Sequence, residues 1–247
     1  MQGSFAVGDF DEHSDCDFII VINKDISSQR LPGLQTMHKR IFNLAMEWAK
    51  HLEGSYFPKA VLRDYNLCGS DLWYLDNGHS ELIRDKHCNT VVVRQTLRKK
   101  GVVIIGPEPS TLIEPIPVEV LRRAILAAIH DWGKEILAEP ERFNNRFYQS
   151  FIVLSYCRML HDLHTGTVGS KRTGAEWAKR NLDSLWTGLI DRTWSGRPNP
   201  AVSIRQPADK ADFNSTLAFV KYVIKAAKEF AATSELQLKS ATIKACR

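Results

Sequence analysis

Apolar positions along this chain change their spacing near its middle. From residue 18 to 22 they run unbroken, Phe18-Ile19-Ile20-Val21-Ile22, with the β-branched richness of a buried strand. Leu34, Met37, Ile41, Leu44, Ala45, Trp48 and Leu52 then recur at three- and four-residue steps. That spacing predicts an amphipathic helix after the turn at Leu31-Pro32-Gly33, with His38 and His51 on its wet side. Residues 52–62 read as one or two short strands interrupted at Pro58. Residues 66–86 are polar, rich in Gly, Asp and Asn, and read as loop with a little structure, carrying Trp73, Tyr74 and His79. A helix follows over 89–100 with Val92, Val93, Thr96 and Leu97 inward. Gly101 ends it, and Val102-Val103-Ile104-Ile105 reads as a last short strand.

After the proline-dense stretch 106–117, only helical periodicity remains. Residues 118–138 predict one helix, with Leu121, Ile125, Ala128, Ile129 and Trp132 on its apolar face. Residues 143–163 predict another, built on Phe147, Phe151, Leu154 and Leu160. Ser170 can cap a short helix holding Ala175, Trp177 and Ala178, and 182–194 forms a fourth. A Pro- and Gly-containing loop over 195–210 leads to a last helix on Phe213, Leu217, Val220, Ile224, Ala227 and Ala231. The fold class is therefore α+β (α/β-like), a mixed-sheet domain over 1–113 followed by an all-α helical bundle over 114–247.

Composition narrows the function class. The chain has 247 residues, 44% hydrophobic and 25% charged, values of a globular protein able to bury a real core. Its net charge of +5 is mild and scattered, with no basic stripe interleaved with aromatics, so no nucleic-acid partner is expected. Five cysteines, Cys16, Cys68, Cys88, Cys157 and Cys246, show neither Cys-x-x-Cys nor zinc spacing and read as reduced thiols. No apolar run reaches membrane-span length, and the N-terminus lacks the basic and apolar regions of a secretion signal. A cytoplasmic protein is the expectation, with its oligomeric state left open.

The chemistry concentrates at the start of the chain. Along a strand side chains alternate, so Asp15 and Asp17 project to one side, about 6–7 Å apart, and Cys16 to the other. Two carboxylates at the mouth of a strand suit magnesium, a hard cation that takes carboxylate, water and phosphate oxygens. Gly3-Ser4 offers a tight turn, backbone N–H groups and a hydroxyl, the usual means of holding a phosphate. Together, in this order, they describe a site for a metal-bound nucleoside triphosphate.

Gly3-Ser4, a short spacer, Ser14-Asp15-Cys16-Asp17 and an apolar strand resemble the signature of the DNA polymerase β-like nucleotidyltransferase superfamily. Later stretches narrow the resemblance to the aminoglycoside adenylyltransferases that act on streptomycin and spectinomycin. These are residues 153–158, Thr165-Gly166-Thr167-Val168-Gly169-Ser170-Lys171, and Ala175-Glu176-Trp177-Ala178. The resemblance implies Mg2+-assisted, in-line transfer of AMP from ATP, as co-substrate, to a hydroxyl of a small-molecule acceptor. Family members carry a helix and a strand ahead of the signature. The resemblance therefore implies a chain lacking that segment, its 15–22 strand left with an open edge.

Residue by residue, the resemblance assigns Asp15 and Asp17 to the metal and Glu53 to the metal or to the proton of the attacking hydroxyl. It assigns Gly3, Ser4 and Ser14 to phosphate, and Lys171 to the triphosphate from across a cleft. Asn89 stands where the family has a nucleotide-contacting acid, with His87 nearby, and Tyr222 matches a nucleotide-contacting tyrosine. Tyr222 lies about 200° around its helix from Val220, so it either faces a cleft or joins Phe219 and Ala226 in a second packing stripe. Trp73 either meets the acceptor or pins its loop to the core. Arg158 is a family feature that serves a buried salt bridge equally well. Tyr148 replaces an acid that the family uses against its cationic acceptor, and Asp131, Glu135, Glu139 and Glu141 are the candidates to substitute. A different acceptor, such as a protein side chain or another metabolite, and a non-catalytic nucleotide-binding protein are the alternatives.

Overall fold

The computed structural model describes residues 1–11, 14–197 and 206–245, with side chains as far as 233. It has a mixed β-sheet N-terminal region followed by an all-helical bundle. The chain divides into two compact units, Met1–Leu121 and Arg122–Arg247.

The first unit is a four-stranded sheet in the order β1 (Cys16–Ile22), β2 (Leu52–Pro58), β3 (Leu72–Leu75), β4 (Leu82–Asp85). β1 and β2 are parallel, and the two other pairings are antiparallel. A short helix α1 (Gly3–Val7) precedes β1, α2 (Leu31–Phe42) makes the crossover to β2, and α3 (Lys59–Arg63) follows β2. Helices α4 (Val91–Lys100) and α5 (Pro109–Leu112) complete the unit. Alternation along the strands gives the sheet two apolar faces. Phe57, Leu62, Leu72, Tyr74, Leu97 and Ile113 form one core, with Ile19 and Val21 packed against it. Tyr56, Leu75 and Leu82 form the other, with Phe18, Ile22, Leu34, Leu52 and Trp73. The Gln35 amide docks α2 on β4, donating to the Leu82 carbonyl at 2.9 Å and accepting from its N–H at 2.7 Å.

Several local expectations are corrected. The helix expected to run on to Leu52 ends at Phe42, and Glu47–Lys50 is a separate 3-10 turn. Leu44 and Trp48 are accordingly exposed rather than on an inward face. His38 is not on the wet side. It is 4% exposed and its Nε2 lies 2.8 Å from the Tyr56 hydroxyl, while burial lowers its pKa. Residues 66–86 hold β3 and β4. On α4 the most buried side chains are Arg94, Gln95 and Leu97, not Val92 and Val93.

Arg94 is fully buried. Its guanidinium donates to the carbonyls of Leu62, Val61 and Thr90 at 3.2, 2.8 and 3.3 Å, and to Cys68 Sγ at 3.0 Å. A cation there ties α4 to the end of α3 by satisfying the Val61 and Leu62 carbonyls. Residues 102–105 form no strand. Val102 exchanges two backbone hydrogen bonds with Met1, at 2.7 and 3.0 Å, and Ile105 is 94% exposed.

The second unit is helical. α6 (Val118–Ala138) begins just before it, and α7 (Arg146–Thr165), α8 (Lys171–Asn181), α9 (Thr187–Ser195) and α10 (Lys210–Ala245) follow. α7 is the central element, buried on most sides from Ile152 to Cys157. Trp132 of α6 stacks on Tyr156 of α7 with centroids 5.2 Å apart. Ala128 is exposed, so the buried stripe of α6 is Leu121, Ile125, Ile129 and Ile136. On α10 the buried stripe is turned from the expected one, with Phe213, Thr216, Phe219, Val220, Val223 and Ala227 inward. Part of the loop expected over 195–210, namely 198–205, lies outside the described residues, as does Cys246. Among the described residues no helix is long and apolar enough to cross a membrane.

Candidate active site

The parallel pairing of β1 with β2 places Asp17 opposite Glu53. Partners in register share a sheet face, so Asp17, Ile19 and Val21 lie on the same side as Glu53, Ser55 and Phe57. Asp15 comes one residue before β1, and Tyr74 of β3, paired with Ser55, stands on this face. Ile19, Val21 and Phe57 close the core at the C-terminal ends of the two strands. The carboxylates occupy their N-terminal ends, where the apolar packing stops.

Glu53 is held by several side chains. Its side chain is 13% exposed, and its Oε1 accepts from the Tyr74 hydroxyl at 2.9 Å and meets His87 Nε2 at 3.3 Å. Its carboxyl also lies within hydrogen-bonding reach of Asp15. Burial alone would push the Glu53 pKa up. The hydrogen bond and charge of His87, with the Tyr74 hydroxyl and Asp15, override it and hold the group below the ordinary carboxylate value. Tyr74 is pushed far up by burial and then by the charges of Glu53 and Asp76, so it remains a neutral donor. The hydrogen bond to Glu53 raises His87. Gly54, next along β2, allows the sheet to close here. A Cβ on it would lie 2.1 Å from the Phe18 carbonyl oxygen.

Asp17 is held from the N-terminal side. Gln2 donates its backbone N–H to the Asp17 carbonyl at 3.1 Å and its side-chain amide to Asp17 Oδ1 at 3.3 Å. Gly3 has φ +64°, and a Cβ there would fall 1.8 Å from Asp17 Oδ2. Only glycine fits, for both conformation and space. Ser4 Oγ is buried without a hydrogen-bond partner among the described residues. Ser14 Oγ accepts from the Asp11 N–H at 3.0 Å and lies 3.2 Å from Asp11 Oδ1, bracing the loop ahead of β1.

Among the described residues no group of three or more His, Cys, Asp or Glu side chains is arranged to hold a metal ion. The chain thus presents no ready-made cage. The donors are nonetheless all-oxygen, with two carboxylates already in contact. Magnesium that arrives with a nucleotide needs only one or two carboxylates, water and phosphate completing its shell. The residues present fit that ion in that role.

Other expected site residues take their places within their own units. Trp73 is on the opposite sheet face, packed with the α2-side core, with the Arg84 guanidinium 5.3 Å from its ring centroid. Asn89 is buried. Its amide donates to the Ser70 carbonyl at 2.7 Å and lies 2.9 Å from Ser70 Oγ, pinning the segment before β3. In the helical unit, Lys171 is the first residue of α8, with Nζ 4.9 Å from the Phe151 ring centroid. Its position is fixed by the Ser170 cap, which accepts from the Thr173 N–H at 3.0 Å, and by buried Asp162, which accepts from the Gly169 N–H at 2.8 Å. Tyr222 packs with Trp186 and Phe219 at 5.3 and 6.2 Å. Tyr148 sits among Phe143, Phe147 and Phe151.

Gln2, Tyr74 and His87 are members of the network that sequence reasoning did not assign. The apolar run Leu72-Trp73-Tyr74-Leu75 carries a strand signal. Nothing in the sequence pairs His87 with Glu53.

Comparison with known proteins supplies relatives. The profile of the aminoglycoside adenylyltransferase C-terminal domain matches residues 111–226. Spectinomycin 9-adenylyltransferases of Staphylococcus aureus, including strain N315, are 26% identical over 100 residues, 40% of this chain. That match spans 35% of the relative's length. A crystal structure of spectinomycin adenyltransferase from Enterococcus faecialis, with ATP and spectinomycin, superposes with a TM-score of 0.65. Its sequence is 14% identical, and the match covers 92% of this chain and 90% of that one. The chain is a distant homologue of the spectinomycin adenylyltransferases and shares their fold.

Proposed function

We propose that this protein is a nucleotidyltransferase that moves AMP from ATP to a hydroxyl of a small molecule, with release of pyrophosphate. The observation that carries the reading is Asp17 opposite Glu53 on one sheet face, with Asp15 in hydrogen-bonding reach of Glu53, at the N-terminal ends of two parallel strands. Asp15 and Asp17 would hold magnesium, which when bound neutralises phosphate charge during in-line displacement. Glu53 contributes to the same shell or takes the proton of the attacking hydroxyl. Its lowered pKa keeps it ionised, and able to accept, at neutral pH. Gly3, Ser4 and Ser14 are assigned to phosphate, and the buried, unpartnered Ser4 hydroxyl supports that role. Lys171 is assigned to the triphosphate, as a point charge on a capped helix start. Tyr222 and Asn89 are assigned to the nucleoside, and Trp73 and Tyr148 to the acceptor. The proposed domain division is a nucleotidyltransferase domain over 1–113 and a helical domain over 114–247.

The acceptor is the open half. Spectinomycin and streptomycin carry cationic groups, yet Tyr148 lies in an aromatic cluster where an acid is expected. That favours, as a second reading, the same AMP transfer to a less cationic acceptor. Incubation with Mg-ATP and each of the two drugs, followed by mass spectrometry, tests the pair. An AMP adduct on either drug supports the first reading. Pyrophosphate release with other hydroxyl compounds, and none with the drugs, supports the second. ATP binding without any turnover would overturn both.

A further inference from the structure

Two of the groups that reach the Glu53 carboxylate meet the same oxygen. Tyr74, from β3, and His87, from the turn between β4 and α4, both reach Oε1, at 2.9 and 3.3 Å, and the single Tyr74 hydroxyl proton is shared with Asp76 Oδ1 at 3.0 Å. The two donors form one assembly, since their rings pack with centroids 5.4 Å apart. The His87 backbone is tied down in turn, its N–H donating to Asp85 Oδ1 at 2.7 Å. Little else accounts for the imidazole's position, because its side chain is 61% exposed. A residue so solvated contributes little to the core. From this geometry we propose that His87 and Tyr74 are positioning residues, a two-point clamp on Oε1 that fixes the plane of the Glu53 carboxylate.

The physical reason is rotational. A carboxylate held by one donor still swings about its terminal torsion, which is broad. Two donors from separate elements on the same oxygen remove that freedom, because turning the group breaks both bonds. Reactions that need aligned proton transfer lose about a hundredfold for misplacements near 1 Å. The clamp therefore acts on the rate of the transfer step and not on nucleotide affinity. This inference rests on Glu53 being the acid that takes the hydroxyl proton.

The test compares wild type with Tyr74→Phe, His87→Phe, their double variant and His87→Gln, which keeps a side-chain donor. With Mg-ATP and spectinomycin, kcat is expected to fall about ten- to a hundredfold in the double variant. The dissociation constant for Mg-ATP should stay within about twofold, and His87→Gln should recover most of the rate lost in His87→Phe. A residue that served only stability would lower the melting temperature of both His87 variants with no such split. Crystal structures of wild type and the double variant decide the point without turnover. The clamp requires the Glu53 carboxylate plane to rotate or disorder when both donors are gone. An unmoved carboxylate, or an unchanged kcat, overturns it. Failure of the wild type to use spectinomycin would count against that acceptor, while the crystallographic comparison still decides the clamp.

Discussion

The two units hold their candidate groups by different means. In the sheet unit Asp15, Asp17 and Glu53 sit in a web of hydrogen bonds involving Gln2, Tyr74 and His87. In the helical unit Lys171, Tyr222 and Tyr148 all rest against aromatic rings. The first arrangement fixes atoms to within a bond's length, which suits groups that must meet a metal or a moving proton. The second places a ring or a cationic tip against aromatic faces. Sequence likeness divides differently. The family profile covers 111–226, whereas the acids lie well upstream of it.

Substitutions on each side should sharpen this contrast. Replacing Asp17 with alanine is expected to bring pyrophosphate release down to background, measured with a coupled phosphate assay. Gly3→Ala should come next. Its Cβ would collide with the Asp17 carboxylate, and the left-handed backbone adds about 1–2 kcal/mol of strain. Loss of activity of about a hundredfold with only a modest fall in melting temperature is expected. An active Gly3→Ala protein would mean that Asp17 need not be held. Lys171→Ala should do less, raising KM for ATP about tenfold with kcat less affected, as for one lost charge-assisted contact. An equal fall in kcat would move Lys171 into the transition state.

The smallest effect concerns neither set. His38 is buried, with its pKa lowered by desolvation, so the folded protein binds a proton there less readily than the unfolded chain. Its share of stability is complete above the unfolded value of about 6.5 and is lost as pH falls from there toward the folded pKa. Thermal melts between pH 7.5 and 5 should therefore show a decline that His38→Gln lessens. A decline of the same size in that variant would place the titrating group elsewhere.

Much of the fold was legible because burial and periodicity coincide. The helix over 118–138 and the Ser170 cap appear in the structure as the spacing and capping chemistry predict. The run 18–22 lies in β1, with Asp17 opposite Glu53. What escaped was tertiary in origin. The periodicity after Phe42 was fortuitous, and those residues make a separate turn. Val102–Ile105 has a strand's composition, but the described residues offer a partner only at Val102, through Met1. His38 and Arg94 are polar residues made internal by partners remote in sequence, Tyr56 and the carbonyls of Val61 and Leu62. In the site, Glu53 was found through resemblance. Its donors were not, because no local pattern encodes a contact across two strands and a turn.

The central claim is that the carboxylates at the strand starts receive magnesium together with a nucleotide. Calorimetric titration of ATP into wild type and into the Asp15→Asn/Asp17→Asn double variant, each with and without Mg2+, tests it most directly. The account predicts tight, magnesium-dependent binding to the wild type that weakens at least tenfold in the variant and loses its dependence on the ion. Equal affinity in all four titrations, with both proteins folded, would contradict it.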